Sequence, residues 1–380
     1  MSDPGVANDT KSHPSDIELL PLKELVVNTP LEETTLLSDS AYETSMLNPL
    51  NNSEYMEGSI FTFGLFPFEL TDKHAELDAV GGNDALKIPR SYNVDSKGNL
   101  WIGTVSGIHI KTATNNTQLI RPQDGLSYYL VTAITEDQDN NTWLGYGNGG
   151  FARIKNGSIT NFKADGNAVL TMKNCAPHEI WIGKYNGLFI YNDSSKRYSQ
   201  ITTKQGLPGN MVQCIHKASN GIVWVGTDNG LARIIYHRDS IYVTPVTDSL
   251  QVATKSITGI TEDAAGKIWF TTATSGAMCI GKAQYFYLNS KNGLPSDSLI
   301  SITMGPYHSI VIGGHGCVMI GKAHNSTNTP NNTMQFEREL KWYPHEFKGT
   351  CVTNTIIRDK ENVIWIGSTA GTIRLVVDKP

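Results

Sequence analysis

The chain has 380 residues, 39% of them hydrophobic, and a formal charge of −5. It offers neither the concentrated basic surface that nucleic acid requires nor a run of eighteen apolar residues long enough to span a membrane. No charged-then-apolar leader opens it, so it reads as a soluble chain without a visible export signal.

Residues 1–57 hold 11 acidic side chains against 2 lysines, whereas the rest holds 29 basic and 25 acidic ones. This opening stretch is rich in Ser, Thr, Pro and Asn and has no sustained period. Such a segment buries too little apolar surface to offset its ordering entropy, which predicts a disordered acidic leader over 1–57.

From residue 58 one grammar repeats: an apolar strand, a polar turn, a strand carrying Trp, a glycine turn, another apolar strand and a variable outer segment. The Trp strands, each with its glycine turn and second apolar strand, read LWIGTVSGIHI, TWLGYGNGGFARI, IWIGKYNGLFIY, VWVGTDNGLARII, IWFTTATSGAMCI, IVIGGHGCVMI and IWIGSTAGTIRLV. Their anchors are Trp101, Trp143, Trp181, Trp224, Trp269, Val311 and Trp365, spaced by 42, 38, 43, 45, 42 and 54 residues. Six of the chain's seven tryptophans are anchors, which makes chance repetition untenable. An all-β repeat near forty residues predicts a seven-bladed β-propeller of four-stranded antiparallel blades over 58–380.

A large rigid ring at one strand position fills the wedge between neighbouring blades. The glycine two residues later lets the next element's backbone approach. The sixth blade, with Val311, and the fifth, with Thr271 for that glycine, are therefore expected to be the least regular. The last repeat stops after its third strand, so an N-terminal strand must complete the seventh blade or leave an edge open. The aromatic segment SIFTFGLF at 59–66 is expected to do so, followed by an innermost strand around Ser91 to Val94.

The stretch GLPGNMVQCIHKASNGIVWVGTDNGLARI at 206–234, with GLPSDSLISI at 293–302 and DSKGNLWIGTVSGI at 95–108, resembles the two-component regulator propeller repeat. The resemblance spans about 58–380. It implies the ligand-sensing part of a hybrid sensor kinase, placed outside the cytoplasmic membrane and often responding to glycans. This chain alone has one propeller, no membrane helix, and no kinase or receiver region. The compartment therefore stays open between that implication and the missing export signal. Streptogramin lyases share similar W-x-G repeats and keep an enzymatic alternative in play.

Propellers bind through loops that a rigid scaffold points at the channel mouth. The turns after the Trp strands supply Tyr146, Asn148, Tyr185, Asn186, Asp228, Asn229, Thr274, His315 and Thr369. The connections entering the blades add Asp124, Tyr128, Asn210 and Asp297. Of these, Tyr146, Tyr185, Asp228, His315, Asn210 and Asp297 are the candidate ligand residues. The Asn-Gly pairs at 148, 186 and 229 serve hairpin turns first, and Asp124 and Asn210 sit beside turn glycines. Turn chemistry makes no such demand on Tyr146 and Tyr185. His315, in GGHG, is the one candidate base, although no supporting acid is apparent and His216 and His308 do not converge with it. The five cysteines, Cys175, Cys214, Cys279, Cys317 and Cys351, form no CxxC or Cys/His cluster, and the last four fall within apolar strand runs, where a free thiol behaves as a small buried hydrophobe.

The expectation is a non-catalytic recognition propeller without a cofactor or metal, binding a small polar ligand such as a glycan, or a protein. The alternatives are a metal-dependent lyase or hydrolase with His315 as base, and a protein-docking scaffold.

Overall fold

The structure is a computed structural model that describes residues 33–34, 75–77, 89–114, 116–163, 166–237, 240–246, 255–280, 285–291, 294–314, 317–321, 323–325, 334–336, 355–368 and 371–376. Short apolar runs punctuated by Gly- and Asn-bearing turns fold into successive antiparallel sheets, each one blade of a seven-bladed propeller. The first blade is Pro89–Val94, Leu100–Thr104, Gly107–Lys111 and Thr117–Ile120, paired in chain order. The second, third, fourth and fifth begin with the innermost strands Val131–Glu136, Val169–Ala176, Val212–Lys217 and Ile257–Glu262. The described part of the sixth has three strands from Leu299 to Gly321, beside a separate hairpin of Ala323–Asn325 and Met334–Phe336. Each innermost strand packs against the next, and that of the seventh blade, Thr355–Arg358, returns to the first.

The seventh sheet is completed by Ala75–Leu77, antiparallel to Gly371–Val376 with Ala75 opposite Leu375. An N-terminal strand thus ties the ends together, but it is 75–77 rather than the expected 59–66, which lies outside the described residues. The innermost strand follows at Pro89–Val94 as anticipated. Within the expected leader only Glu33–Thr34 is described; it pairs with Phe162 and Asn161 on the outer edge of the second blade. Among the described residues no helix is long and apolar enough to cross a membrane.

The Trp strands are buried on both faces because each blade is sandwiched between two others. The core is accordingly divided into seven apolar layers, one at each blade junction. Trp143, for example, meets Phe162 and Tyr191 at ring distances of 5.8 and 5.7 Å. At the sixth anchor, Val311 is fully buried among Val318, Ile320, Ile356, Ile364, Ile366 and Leu375, so an aliphatic layer fills the wedge without an indole.

The W-x-G glycine lies opposite a recurrent bulge of the innermost strand. A Cβ on Gly103 would stand 2.8 Å from the Val131 carbonyl oxygen of the next blade, and one on Gly183 would stand 2.8 Å from that of Val212. In the fifth blade Thr271 takes this position, and the residue opposite is Gly259. The register is unchanged there, contrary to the irregularity expected.

An aspartate six residues before the tryptophan holds the turn on the lower face. The indole Nε1–H donates to Asp95 (2.9 Å), Asp137 (2.7 Å), Asp263 (2.9 Å) and Asp359 (2.8 Å) in the first, second, fifth and seventh blades. The other carboxylate oxygen accepts two backbone N–H groups of the turn, as from Asp139 and Asn141 at 2.9 Å each. Beside the corresponding turns of the first and fourth blades a glutamate of the following blade clamps a serine. Glu136 accepts from the Ser96 N–H and hydroxyl, and Glu262 accepts from those of Ser219.

Candidate functional site

The upper face carries the turns that follow the Trp strands and the connections that enter each blade. Ten residues join Ile120 to Val131, Ile201 to Val212 and Leu288 to Leu299, whereas six join Phe162 to Val169. The ten-residue connections fold as fingers. In the fourth blade the finger lies on the blade's own turn: Asn229 donates to the Pro208 carbonyl at 3.0 Å, and Asp228 Oδ1 accepts from the Met211 N–H at 3.3 Å. The six-residue connection into the third blade lacks the length for such a finger. The tyrosine on that blade's turn, Tyr185, is 50% exposed as a result.

The fingers explain two candidates as structural. Asn210 Oδ1 accepts from the Thr203 N–H at 2.9 Å, and Asp297 accepts from the Ser290 N–H at 2.6 Å and its hydroxyl at 2.9 Å. Each closes its finger seven residues back. The equivalent pair in the first finger is Pro122 and Tyr129. Proline has no N–H to satisfy, so position 129 is released from capping and carries an aromatic ring. Asp124 caps the start of that finger, accepting from the Arg121 N–H at 2.9 Å, as Gln205 accepts from the Thr202 N–H in the fourth-blade finger. Tyr128 and Tyr129 lie half-buried with ring centroids 4.4 Å apart, and the Tyr128 hydroxyl donates to that of Tyr129 at 3.3 Å. Burial, then the Tyr129 hydroxyl, pushes Tyr128 up to about 12.

The last residue of the Trp strand separates two further roles. Thr104, Thr227 and Thr272 donate their hydroxyls to the carbonyls of Gly107, Gly230 and Gly276 and close their own turns. The longer side chains at this position reach further. Tyr146 is fully buried in the layer between the first two blades, its hydroxyl donating to Asn161 Oδ1 at 3.3 Å. This corrects its expected place on the channel surface: no solvent-borne ligand touches it in this arrangement. Lys184, which sequence reasoning passed over, is also buried. It donates to the Gly149 carbonyl at 2.9 Å, locking the second blade's turn against the third, with Phe189 4.6 Å from its ammonium.

His315 and Thr369 lie outside the described residues. His216 points toward the lower face, its Nε2 4.0 Å from Glu262 Oε2, and His308 ends the turn Pro306–His308. Among the described residues no group of three His, Cys, Asp or Glu side chains converges as a metal site. Cys175, Cys214 and Cys279 are free thiols, each pushed up to about 12 by burial. What the upper face presents is an exposed Tyr185, with the Tyr128–Tyr129 pair on one neighbouring blade and the exposed Asp228 on the other.

Residues 206–229, the finger and Trp strand of the fourth blade, match the family model described as two component regulator propeller. The chain carries a two-component regulator propeller repeat. Its fold is similar to the extracellular domain of a hybrid two component system, BT3049, from B. thetaiotaomicron, at 20% identity and a TM-score of 0.61. That likeness covers 77% of this chain and 39% of the other, so the chain spans about two fifths of that domain. It is similar also to a catalytically inactive virginiamycin B lyase from Staphylococcus aureus with quinupristin, at 16% identity and a TM-score of 0.61, over 80% of this chain and 100% of that one. The WD40 propeller domain of Doa1 matches at 10% identity and a TM-score of 0.56, over 77% of this chain and 93% of that one. At these identities the shared property is the fold. No curated protein matches the sequence.

Proposed function

We propose that this propeller is a non-catalytic recognition module of the sensor type, which takes a small polar ligand of glycan class on its upper face at the third blade. The observation that carries the reading is the exposed ring of Tyr185, left uncovered by a connection four residues shorter than its neighbours. An aromatic face rimmed by amide and carboxylate groups suits a sugar, whose C–H face stacks while its hydroxyls find hydrogen bonds. The two-component repeat supports the sensing role, and the buried position of Lys184 supports a floor that is rigid before the ligand arrives.

A thermal-shift screen of the whole chain against mono- and oligosaccharides tests this, since a ligand that binds only the native state raises Tm. A shift with one sugar class, lost in Tyr185→Ala, is expected. A metal-dependent turnover abolished by His315→Ala would overturn the reading in favour of an enzyme. Capture of a defined protein partner that survives Tyr185→Ala would favour a docking scaffold.

A further inference from the structure

The bulge of each innermost strand leaves one residue without a partner in the ladder. In the first six blades that residue is Arg90, Thr132, Leu170, Gln213, Thr258 and Ile300. The innermost strand has its free edge toward the axis. The bulge stands next to the upper face, because the residue before it pairs with the last residue of the Trp strand, as Pro89 does with Thr104. These six positions therefore ring the upper mouth of the channel.

Five of them are uncharged, and three of those serve the wall itself. Thr132 and Thr258 donate their hydroxyls to the Val169 and Leu299 carbonyls of the next blade at 2.6 and 2.9 Å. Gln213 Nε2 donates to Ser256 Oγ, at the entry to the fifth blade, at 2.7 Å. Arg90 breaks the series: its guanidinium is exposed, and among the described residues it has neither a hydrogen bond nor an ion pair.

The acids of the upper face are committed elsewhere. Asp124, Asp228 and Asp297 accept from the N–H groups of Arg121, Met211 and Ser290. Lys184 is buried on the Gly149 carbonyl. Arg121, Lys204 and Lys291 stand where the fingers leave the outermost strands, at the rim of the disc. The mouth of the channel thus carries a guanidinium without a carboxylate to answer it. Its flat fork of N–H donors matches the paired oxygens of a carboxylate or a sulfate.

We propose that the sugar taken on the upper face is anionic, its carboxylate or sulfate group held by Arg90 while a ring stacks on Tyr185. The inference rests on the sugar-binding reading above and adds the charge of the ligand. Tyr185 lies on a turn of the third blade and Arg90 on the innermost strand of the first, so an oligosaccharide rather than a single sugar spans both. Asp228, exposed on the fourth blade, repels the charged end and favours the orientation toward the first.

The test is calorimetric titration of the whole chain with matched oligosaccharides: galactose against galacturonate, glucose against glucuronate, and galactose against its sulfated form. An anionic member is expected to bind at least about tenfold more tightly than its neutral partner. Arg90→Gln should remove most of that preference, and Arg90→Lys, which keeps the charge without the fork, should fall between. Raised salt should weaken the anionic member more than the neutral one. A response to uronates but not to sulfated sugars assigns the carboxylate, and the reverse assigns the sulfate. Equal affinity for neutral and anionic partners, or a preference that survives Arg90→Gln, overturns this inference and leaves the sugar-binding reading standing. Failure of every sugar, neutral and anionic alike, overturns both.

Discussion

Thr271 and Gly259 face each other across the innermost ladder of the fifth blade with side chains exchanged in size relative to the neighbouring blades. Elsewhere the glycine lies on the Trp strand, opposite Ser91, Ala133, Thr171 or Cys214. The space between blades is conserved although the residue that vacates it is not. A Cβ on Gly259 would meet Thr271 Oγ1 at 3.0 Å and Ile302 Cγ2 at 3.1 Å.

Gly259→Ala is therefore expected to destabilise by about 1–3 kcal/mol through overpacking. Adding Thr271→Gly should recover part of that, with a coupling of at least about 0.5 kcal/mol in a double-mutant cycle by urea unfolding. Strict additivity would mean that the two positions do not share one space. Gly183→Ala, whose Cβ would stand 2.8 Å from a backbone oxygen with no smaller partner opposite, should cost at least as much.

Asp137→Ala removes the acceptor of the Trp143 indole and of two turn N–H groups together. Leaving a buried indole donor unpaired while opening its turn should cost about 2–4 kcal/mol. Asp137→Asn, which keeps one oxygen, should cost less. Urea midpoints of the two variants decide this, and equal midpoints would assign the loss to charge rather than to hydrogen bonding.

His216 is held at about 4, below its ordinary 6.5, by burial first and then by Lys173, with Glu262 opposing. Between those values the unfolded chain takes up a proton that the folded chain refuses. The stability this residue contributes is complete above about 6.5 and is lost as pH falls toward 4. A depression of this size corresponds to about 3 kcal/mol at most. Unfolding curves between about pH 4.5 and about 7.5 should show the slope in wild type and a flatter profile in His216→Gln. Parallel profiles would show that the imidazole does not resist protonation.

Tyr185→Ala should leave unfolding within about 0.5 kcal/mol of wild type, because its ring is half exposed and packs little, while abolishing the sugar-induced shift. Tyr129→Ala separates the two aromatic groups: a ligand confined to the third blade is unaffected by it, and a longer ligand reaching the second blade is weakened. Calorimetric titration of both variants reads the difference.

The tryptophan spacing and the turn residues made the ring legible, because wedge filling and positive-φ turns each demand particular residue types. Tyr146 was misplaced because its strand position accepts either a threonine that closes its own turn or a long chain that turns inward, and residue type alone does not choose. Asn210 and Asp297 could have been recognised as finger caps, since each has a donor seven residues back and Pro122 removes that donor where Tyr129 replaces them. The closing strand was missed because three residues, Ala75–Leu77, leave no periodic signature, and the aromatic stretch at 59–66 drew the assignment. Lys184 carried no signal that a charged side chain would be buried.

A ring of seven near-equivalent blades has, in principle, seven indistinguishable orientations for anything that settles on it. The six-residue connection before the third blade marks a single sector, the way a keyway marks a shaft. A guest that engages Tyr185 is thereby fixed in angle as well as in position, and its far end points toward one predetermined side of the disc.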